Sequence, residues 1–277
     1  MKPADSFRSW CAMSVEANRV ALITGAARGI GAATVRRLVN SGYAVVAVDL
    51  GDAPRPAGVA YELSSGADLE RLAAEHGGAV IPYVADVRDA QALRAAAEVA
   101  MERFGRLDVA VACAAVMIGG APLWDTPEPE LRTLLDIDVV GVWNLAAATV
   151  PHMLTAPDPS TCRFVAVASA AGERGLYLLA GYSTAKHAVI GIVRGLAADL
   201  VGTGITAVAV SPGSTDTAML QATADIYRTT TTELAHSQLL QRTITPDEIA
   251  AVIELCCSIE GAALNGSVVG AAGGFVG

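Results

Sequence analysis

RVALITGAARGIG, residues 19–31, is the stretch that decides the fold of this chain. Residues 19–24 form an apolar run that predicts a buried strand, and a glycine-rich turn leads from it into a helical pattern that ends near Asn40. A strand, a glycine-rich turn and a helix form a phosphate-binding arrangement, because glycines allow close approach and the helix N-terminus supplies free N–H groups. The spacing is GxxxGxG rather than GxGxxG, so this turn alone is weak evidence for a nucleotide.

Strand and helix patterns alternate along the rest of the chain. Further strands are predicted at residues 43–48, 79–84, 107–112, 164–168, 205–210 and 266–269. Helices are predicted at residues 68–76, 90–104, 127–154, from Tyr182 to about 201, and 245–258. The alternation predicts a single doubly wound Rossmann-type α/β domain, with an approximately seven-stranded parallel sheet flanked by helices and right-handed crossovers. We expect this domain to span residues 18–277, with 1–17 as a disordered leader and 218–243 as a mobile substrate flap.

Composition excludes several classes of partner. The chain has 277 residues, 53% of them apolar, so it can bury a large core. The formal net charge of −9 argues against nucleic acid and anionic membrane surfaces. We find no secretory signal and no membrane span; the nearest candidate, residues 109–124, contains two glycines and a proline. The five cysteines form no CxxC or Cys/His cluster, which predicts buried thiols in a reducing cytoplasm and no metal site.

Two acids follow predicted strands at the sheet edge where ligands bind. Asp49 ends the second strand, and a carboxylate there can accept hydrogen bonds from the adenosine ribose and repel a 2′-phosphate. It therefore favours NAD over NADP, although Arg28 argues in the other direction. Asp86 and Val87 follow the third strand, where they could bracket an adenine; a helix N-cap is an equal alternative for Asp86.

Tyr182 and Lys186 are four residues apart, so they lie on one face of a helix. The ammonium is expected to lower the phenol pKa from its usual value of about 10, so that Tyr182 can exchange a proton with a substrate oxygen. Ser169 ends the strand at 164–168 and could reach the same oxygen. A surface Tyr/Lys pair on an ordinary helix is the alternative. The convergence of these residues with the glycine turn on one sheet edge favours an active site.

With these residues assembled, the chain resembles the single-domain short-chain dehydrogenase/reductase family over residues 18–275. TGAARGIG at 24–31 is similar to the cofactor motif of that family, and Ser169, Tyr182 and Lys186 match its catalytic positions with the family's spacing. The resemblance implies NAD as cofactor. It also implies a set of cofactor-binding residues: Gly25, Arg28, Gly29, Ile30, Gly31, Asp49, Leu50, Asp86, Val87, Cys113, Ala114, Ala115, Tyr182, Lys186, Pro212, Gly213, Thr215 and Thr217.

The chain departs from the family pattern at two places. The NNAG that follows strand four in the family reads Ala112-Cys113-Ala114-Ala115 here, which removes side-chain support for that turn. The fourth catalytic position, an asparagine in the family, is Asp138. In the family this residue acts through its backbone, which holds a water of the proton relay. We therefore expect Asp138→Asn to retain most activity, and the extra carboxylate to strengthen the charged form of Lys186.

The resemblance implies an alcohol dehydrogenase or ketoreductase that interconverts a hydrophobic secondary alcohol and its ketone. Five apolar residues are candidates for the substrate pocket, with a core or interface role as the alternative for Trp124 and Tyr177: Met117, Trp124, Tyr177, Leu178 and Met219. The long segment after Asp49 is similar to an actinobacterial subgroup, related to carveol dehydrogenases, that retains NAD and passes electrons to the carrier mycofactocin. A homotetramer is also implied. The alternatives are a 3-oxoacyl-thioester reductase with exchanging cofactor and a non-catalytic NAD-binding redox sensor.

Overall fold

β1 (Arg19–Thr24) lies inside a seven-stranded parallel sheet in the computed structural model, which describes residues 19–276. The strand order is β3-β2-β1-β4-β5-β6-β7, and every neighbouring pair is parallel. The other strands are β2 (Tyr43–Asp49), β3 (Val80–Val84), β4 (Val109–Ala112), β5 (Arg163–Val167), β6 (Thr206–Pro212) and β7 (Val268–Ala271). The predicted doubly wound α/β architecture is confirmed, with boundaries that differ by one or two residues in most strands.

Helices cover both faces of the sheet. Their bounds are α1 (Gly29–Asn40), α2 (Gly66–His76), α3 (Ala90–Phe104), α4 (Glu128–Leu134), α5 (Gly141–Leu154), α6 (Ala180–Asp199), α7 (Ala218–Tyr227), α8 (Thr231–Ala235) and α9 (Pro246–Cys257). One core cluster joins the sheet to α3, α5 and α6 through residues such as Leu93, Leu145 and Val189. The second joins the opposite face to α1, α2 and α9 through Val35 and Ile253, among others. The apolar side chains therefore fill two layers with the sheet between them.

The chain order reverses between β1 and β4, because β2 and β3 extend the sheet in one direction and β5 to β7 in the other. In open α/β sheets, ligands bind beyond the carboxyl ends of the strands at such a reversal. Thr24, Ala112 and Val167 end three neighbouring strands there. The fold thus brings the glycine turn, the turn after β4 and the loop after β5 to one place.

Two predicted segments differ in detail. The helix predicted over 127–154 contains a π-helical turn, Leu135–Val140, between α4 and α5. The predicted flap, residues 218–243, contains α7 and α8 and then turns without further helix. Thr245 caps α9 with a capping box, as its sequence predicts. The predicted leader, residues 1–17, lies outside the described residues.

One helical stretch of the described residues, Glu128–Leu154, meets the length and composition of a membrane span. It replaces residues 109–124 as the nearest candidate. Half of its most apolar window is buried inside the protein, and Ile137 and Leu145 belong to the core cluster that packs on α3 and α6. A core helix of a soluble protein meets the same criterion, and this packing is that of a core helix. Of the cysteines in the described part of the chain, Cys162, Cys256 and Cys257 are buried and Cys113 is half-buried.

Candidate active site

The turn between β1 and α1 is shaped by glycines that no other residue can replace without movement. Gly25 has φ of +65°, and a Cβ there would lie 2.6 Å from the backbone nitrogen of Ala114. A Cβ on Gly31 would lie 2.0 Å from the carbonyl oxygen of Gly25. Arg28, at the N-cap of α1, makes no side-chain cap hydrogen bond. The first N–H groups of α1 therefore remain available to an anion, in a turn that keeps side chains away from it.

This turn borders a cavity of about 680 Å³. Of the predicted cofactor residues, the cavity is lined by Gly25, Arg28, Gly29, Ile30, Gly31, Asp49, Leu50, Asp86, Val87, Cys113, Ala114, Ala115 and Thr217. The structure thus brings together residues at or beyond the carboxyl ends of β1, β2, β3, β4 and β6, which are spread over more than half of the sequence. An elongated ligand with a phosphate at the glycine turn fits this lining.

The Asp49 carboxylate is buried and already accepts three hydrogen bonds. Its donors are the backbone N–H of Ala27 at 2.9 Å, the backbone N–H of Leu50 at 2.8 Å and the Ser64 hydroxyl at 2.6 Å. An ionised carboxylate has about four acceptor positions, so about one remains for a ribose hydroxyl. Asp49 therefore supports the cofactor turn as well as facing the cavity.

Asp86 forms an ion pair with Arg88, with the guanidinium Nη2 2.5 Å from Oδ2. Burial opposes ionisation of Asp86, but the hydrogen bonds from Arg88 outweigh it and hold the pKa of this carboxyl below its usual range. The N-cap of α3 is Asp89, whose side chain accepts from the N–H groups of Gln91 and Ala92. The N-cap alternative for Asp86 is therefore wrong.

The segment after β2 is tied to the cavity rather than extended into solvent. Pro56, Leu63 and Ser64 line the cavity, and Val59 belongs to the core. The Arg28 guanidinium donates to the carbonyl of Glu62 and lies over the Tyr61 ring, 5.8 Å from its centroid. The unusual length of this segment is visible in the sequence, but Tyr61, Leu63 and Ser64 are not among the predicted site residues.

Tyr61 joins this segment to the turn after β4. Its hydroxyl accepts a hydrogen bond from the backbone N–H of Met117 at 3.0 Å. Burial raises the pKa of Tyr61 well above its usual range, so the hydroxyl stays protonated. Tyr61 therefore fixes Met117, which lines the second cavity described below.

Ser169, Tyr182 and Lys186 meet beyond the end of β5. Tyr182 and Lys186 are buried in the first part of α6, and the lysine Nζ lies 5.6 Å from the centroid of the tyrosine ring. Lys186 Nζ also donates to the carbonyl of Val167 at 3.2 Å. The Ser169 hydroxyl accepts from the backbone N–H of Ala171 at 3.1 Å, which orients it. The alternative of a surface Tyr/Lys pair is therefore wrong.

The pKa of Tyr182 is raised, whereas the sequence predicted that it is lowered. Burial raises the pKa of this phenol above its usual value, and Lys186 and the Ser169 hydroxyl only partly oppose the rise. The neighbouring Asp138 carboxylate adds to it. The sequence shows the ammonium but not the depth of burial, so it predicted the opposite net direction.

Asp138 lies behind the two catalytic candidates, fully buried in the π-helical turn. Its Oδ1 accepts from the backbone N–H of Val116 at 2.8 Å, and its Oδ2 is 3.3 Å from Lys186 Nζ. Burial alone would lower the pKa of Lys186, but Asp138 outweighs it and raises that pKa above its usual value. The expected strengthening of the charged lysine is seen, and it comes from the side chain. π-Helical turns often occur at functional sites, and this one directs Asp138 at Lys186.

A second cavity of about 580 Å³ continues from the first, because Ile30, Cys113 and Thr217 border both. Among the predicted site residues, it is lined by Ile30, Cys113, Ala115, Met117, Ser169, Tyr177, Leu178, Tyr182, Lys186, Pro212, Gly213, Thr215, Thr217 and Met219. The Tyr182 hydroxyl donates to the thioether sulfur of Met219 on α7 at 3.7 Å. A helix of the predicted flap therefore contacts the phenol of the candidate acid–base residue directly.

Trp124 does not line this second cavity, and its side chain is 81% exposed. This corrects the prediction that it contributes to the substrate pocket, and it also removes the core alternative. Several residues that line this cavity are not among the predicted site residues, including Leu179, Ile226, Arg228 and Phe275. They come from three separate segments, and nothing in their spacing marks them as neighbours.

Comparisons with known proteins agree with this architecture. The family model described as "Enoyl-(Acyl carrier protein) reductase" matches residues 25–276. The chain is 36% identical to (−)-trans-carveol dehydrogenase of Rhodococcus erythropolis over 73% of each chain. It is 34% identical to the short-chain reductase protein NovJ of Streptomyces niveus over 98% of each. The crystal structure of carveol dehydrogenase from Mycobacterium avium in complex with NAD has a TM-score of 0.87 and 27% identity, covering 95% of this chain and 99% of that one.

Proposed function

The chain belongs to the short-chain dehydrogenase/reductase family, and on this premise we propose that it is an NAD(H)-dependent oxidoreductase. Its reaction interconverts a hydrophobic secondary alcohol and the corresponding ketone. One observation carries the proposal: Ser169, Tyr182 and Lys186 line a cavity that continues into the one bordered by the glycine turn and Asp49. Such an arrangement holds a nucleotide and a small apolar substrate side by side.

NAD is the cofactor of this proposal, and the residues present fit it. The glycine turn with the free N–H groups of α1 would hold the pyrophosphate, Asp49 the adenosine ribose, and Lys186 the nicotinamide ribose. The buried Asp49 carboxylate disfavours the 2′-phosphate of NADP through like-charge repulsion. When bound, the nicotinamide supplies the hydride acceptor or donor.

Tyr182 is the proposed acid–base residue. Its hydroxyl takes the proton of the alcohol during oxidation and returns it to the ketone oxygen during reduction. Ser169 donates a hydrogen bond to the same oxygen and stabilises negative charge that develops there. Lys186 opposes the rise in the phenol pKa that burial causes, and Asp138 keeps Lys186 charged. We propose that Asp138 acts on the proton relay through Lys186, as a positioning residue.

The walls of the second cavity favour an apolar substrate. Met117, Leu178, Met219 and other aliphatic side chains surround Tyr182 there. The carveol dehydrogenase relatives act on an alcohol of this kind, by their names. The second candidate is a 3-oxoacyl-thioester reductase, which is supported by the name of a 32% identical relative, the 3-oxoacyl-[acyl-carrier-protein] reductase of Thermotoga maritima.

We also propose that NAD is retained between turnovers and that electrons leave through an external carrier of the mycofactocin type. The support is the segment between β2 and α2, which lines the cofactor cavity. Ser64 bonds Asp49, Arg28 bonds Glu62, and Tyr61 bonds Met117, so the segment would have to release several contacts before the ligand leaves. Quantifying NAD(H) released by denaturation after exhaustive dialysis tests this point: near-stoichiometric cofactor supports retention, and an empty protein contradicts it.

Residues 18–277 are proposed to act as one domain, in a cytoplasmic homotetramer. A single sheet runs from β1 to β7, which supports one domain. Leu123, Trp124, Val140 and Trp143 expose large apolar side chains near α4 and α5, which supports association of copies through this surface.

Tyr182→Phe is the direct test of the proposed chemistry, because it removes only the hydroxyl. Tyr83→Phe is the matched control, since Tyr83 lies on β3 and lines neither cavity. We expect a loss of about 100-fold or more in kcat for Tyr182→Phe, with NAD affinity unchanged, and no change for Tyr83→Phe. Near-normal turnover in Tyr182→Phe would contradict the assignment, and NAD binding without turnover in the unmodified protein would favour a redox sensor.

A further inference from the structure

The lining of the second cavity is unusual in charge. The chain as a whole carries a formal net charge of −9, yet no aspartate or glutamate lines this cavity. Its two charged lining residues are cations, Lys186 and Arg228. Asp138 neutralises Lys186 at 3.3 Å. Arg228 is therefore the one cation of the lining whose charge no carboxylate balances within ion-pair distance, among residues 19–276.

Several other arginines in the described part of the chain also make no ion pair, including Arg55, Arg94, Arg103 and Arg194. None of these four lines either cavity. By contrast, the arginines that line the first cavity all have partners: Arg28 donates to the backbone carbonyl of Glu62, and Arg36 and Arg88 form ion pairs with Glu75 and Asp86. Among the described residues, Arg228 is the arginine that lines a cavity and makes neither an ion pair nor a side-chain hydrogen bond.

The backbone holds Arg228 in place at a conformational cost. It follows the last turn of α7 with φ of +53°, in the left-handed region that glycine adopts most easily. Leu178, with φ of +57°, is a second left-handed residue that lines the same cavity. The Tyr227 hydroxyl donates to the carbonyl of Tyr177 at 2.6 Å, which joins the end of α7 to the loop that carries Leu178. Strained residues of this kind cluster at ligand sites.

We propose that Arg228 forms an anion subsite of the substrate cavity, so that the substrate is amphiphilic, with an apolar carbinol-bearing body and a negatively charged group. This inference rests on the proposed function and narrows its substrate class. The guanidinium can bind a carboxylate or a phosphate with paired hydrogen bonds. The shared chemistry therefore fits either a hydrophobic hydroxy or oxo acid, or an acyl thioester whose carrier bears phosphates.

Two matched pairs of substrates distinguish a carboxylate on the substrate from a phosphate on its carrier. The first pair is 4-hydroxycyclohexane-1-carboxylate and its methyl ester, which differ by one charge. The second is a 3-hydroxyacyl-coenzyme A and the same acyl group on N-acetylcysteamine, which lacks the phosphates. The ratio of kcat/KM within each pair is measured for the unmodified protein, Arg228→Gln, Arg228→Lys and the control Arg194→Gln, whose position is exposed and lines neither cavity.

We expect the anionic member of one pair to be preferred about fivefold to tenfold, a modest factor because water screens an exposed guanidinium. Arg228→Gln should reduce the preference, which is a ratio measured within one protein, to about one. Arg228→Lys should retain part of it, and Arg194→Gln all of it. A preference within the first pair assigns a carboxylate, and a preference within the second pair assigns a carrier phosphate. Equal use of both members in both pairs overturns the subsite and leaves the proposed function intact.

Calorimetric binding of the same four compounds keeps the two proposals distinguishable. If the protein oxidises none of the compounds, the proposed function fails. The subsite is still supported if an anionic compound binds more tightly than its neutral partner and Arg228→Gln abolishes that difference in affinity. If neither anionic compound binds more tightly than its neutral partner, the subsite is overturned. The preference should also weaken when salt rises from about 0.05 M to about 0.5 M, because the Debye length shortens over that range.

Discussion

Replacing Asp138 with asparagine tests the buried ion pair beside Tyr182. Both carboxylate oxygens face donors: Oδ1 faces the N–H of Val116 at 2.8 Å, and Oδ2 faces Lys186 Nζ at 3.3 Å. An asparagine has one acceptor oxygen and one NH2 donor group, so it can satisfy only one of them and directs N–H groups at the other. The position is fully buried, so no water replaces the lost acceptor.

The size of the effect follows from the geometry. Two unit charges 3.3 Å apart attract by about 5 kcal/mol at an effective dielectric constant of about 20. Removing one partner of a buried ion pair typically costs about 3–5 kcal/mol of unfolding free energy, because the other charge stays buried. We therefore expect Asp138→Asn to lose about 3–5 kcal/mol. The pKa of Lys186 should fall, since burial lowers it and the carboxylate no longer opposes burial.

The fall in the Lys186 pKa can be measured directly, because the chain contains few lysines. The sequence contains two lysines, Lys2 and Lys186, so lysine labelled with ¹³C at Cε gives two signals in an NMR titration. The matched control is Asp108→Asn. Asp108 is also fully buried, and it accepts from the N–H of Val20 and pairs with Arg106. The control should lose stability without moving the Lys186 titration.

Activity should change in one pH range only. We expect the fall in the Lys186 pKa to leave this lysine charged at neutral pH, so that Asp138→Asn keeps most of its neutral activity. At alkaline pH the variant should lose kcat/KM for alcohol oxidation as its lysine deprotonates, whereas the unmodified protein should reach a plateau. An unchanged Lys186 titration in Asp138→Asn, or the same alkaline plateau, would refute this reasoning.

Three further predictions follow from named contacts. Asp49→Ser removes the carboxylate proposed to bind the adenosine ribose, so the preference for NAD over NADP in binding titrations should fall by about tenfold or more. An unchanged ratio would contradict this role of Asp49. Tyr61→Phe removes the acceptor for the Met117 N–H, so the free energy of unfolding should fall by about 1–3 kcal/mol, and KM should rise more than kcat changes. Equal KM values for the variant and the unmodified protein would argue against Tyr61 as a positioning residue. Trp143→Asp places a charge on an exposed apolar surface, so light scattering should report a smaller assembly, and an unchanged mass would exclude this surface from the interface.

Much of the fold could be predicted because its signals are local. Each strand is a short apolar run, and the α9 capping box is visible in four residues. The glycine turn is equally local, since Gly25 and Gly31 are required by contacts within a few residues and with the adjacent β4 turn. Parallel topology then follows from alternation, because parallel strands need crossover connections. Ser169, Tyr182 and Lys186 come together for the same reason: they follow the end of one strand and begin the next helix.

The remaining features depend on three-dimensional packing. The π-helical turn that aims Asp138 at Lys186 has no periodicity that a sequence pattern reveals. The pKa of Tyr182 depends on burial by segments far along the chain, so the charge of Lys186 alone predicted the wrong direction. Trp124 is apolar, yet it is exposed outside the cavity. Tyr61 and Arg228 reach the site from loops, whose course no sequence periodicity specifies.

The most direct test of the central claim is isotope transfer in a single turnover. An apolar secondary alcohol carrying deuterium at its carbinol carbon is mixed with the NAD-loaded protein, and the released nicotinamide is analysed by mass spectrometry. We predict one deuterium on the cofactor of the unmodified protein and transfer about 100-fold slower or more to that of Tyr182→Phe, with equal NAD bound to both. Equal rates of transfer in the two proteins would contradict the role of Tyr182. NAD bound without transfer from any neutral or anionic alcohol would contradict the proposed oxidoreductase activity itself.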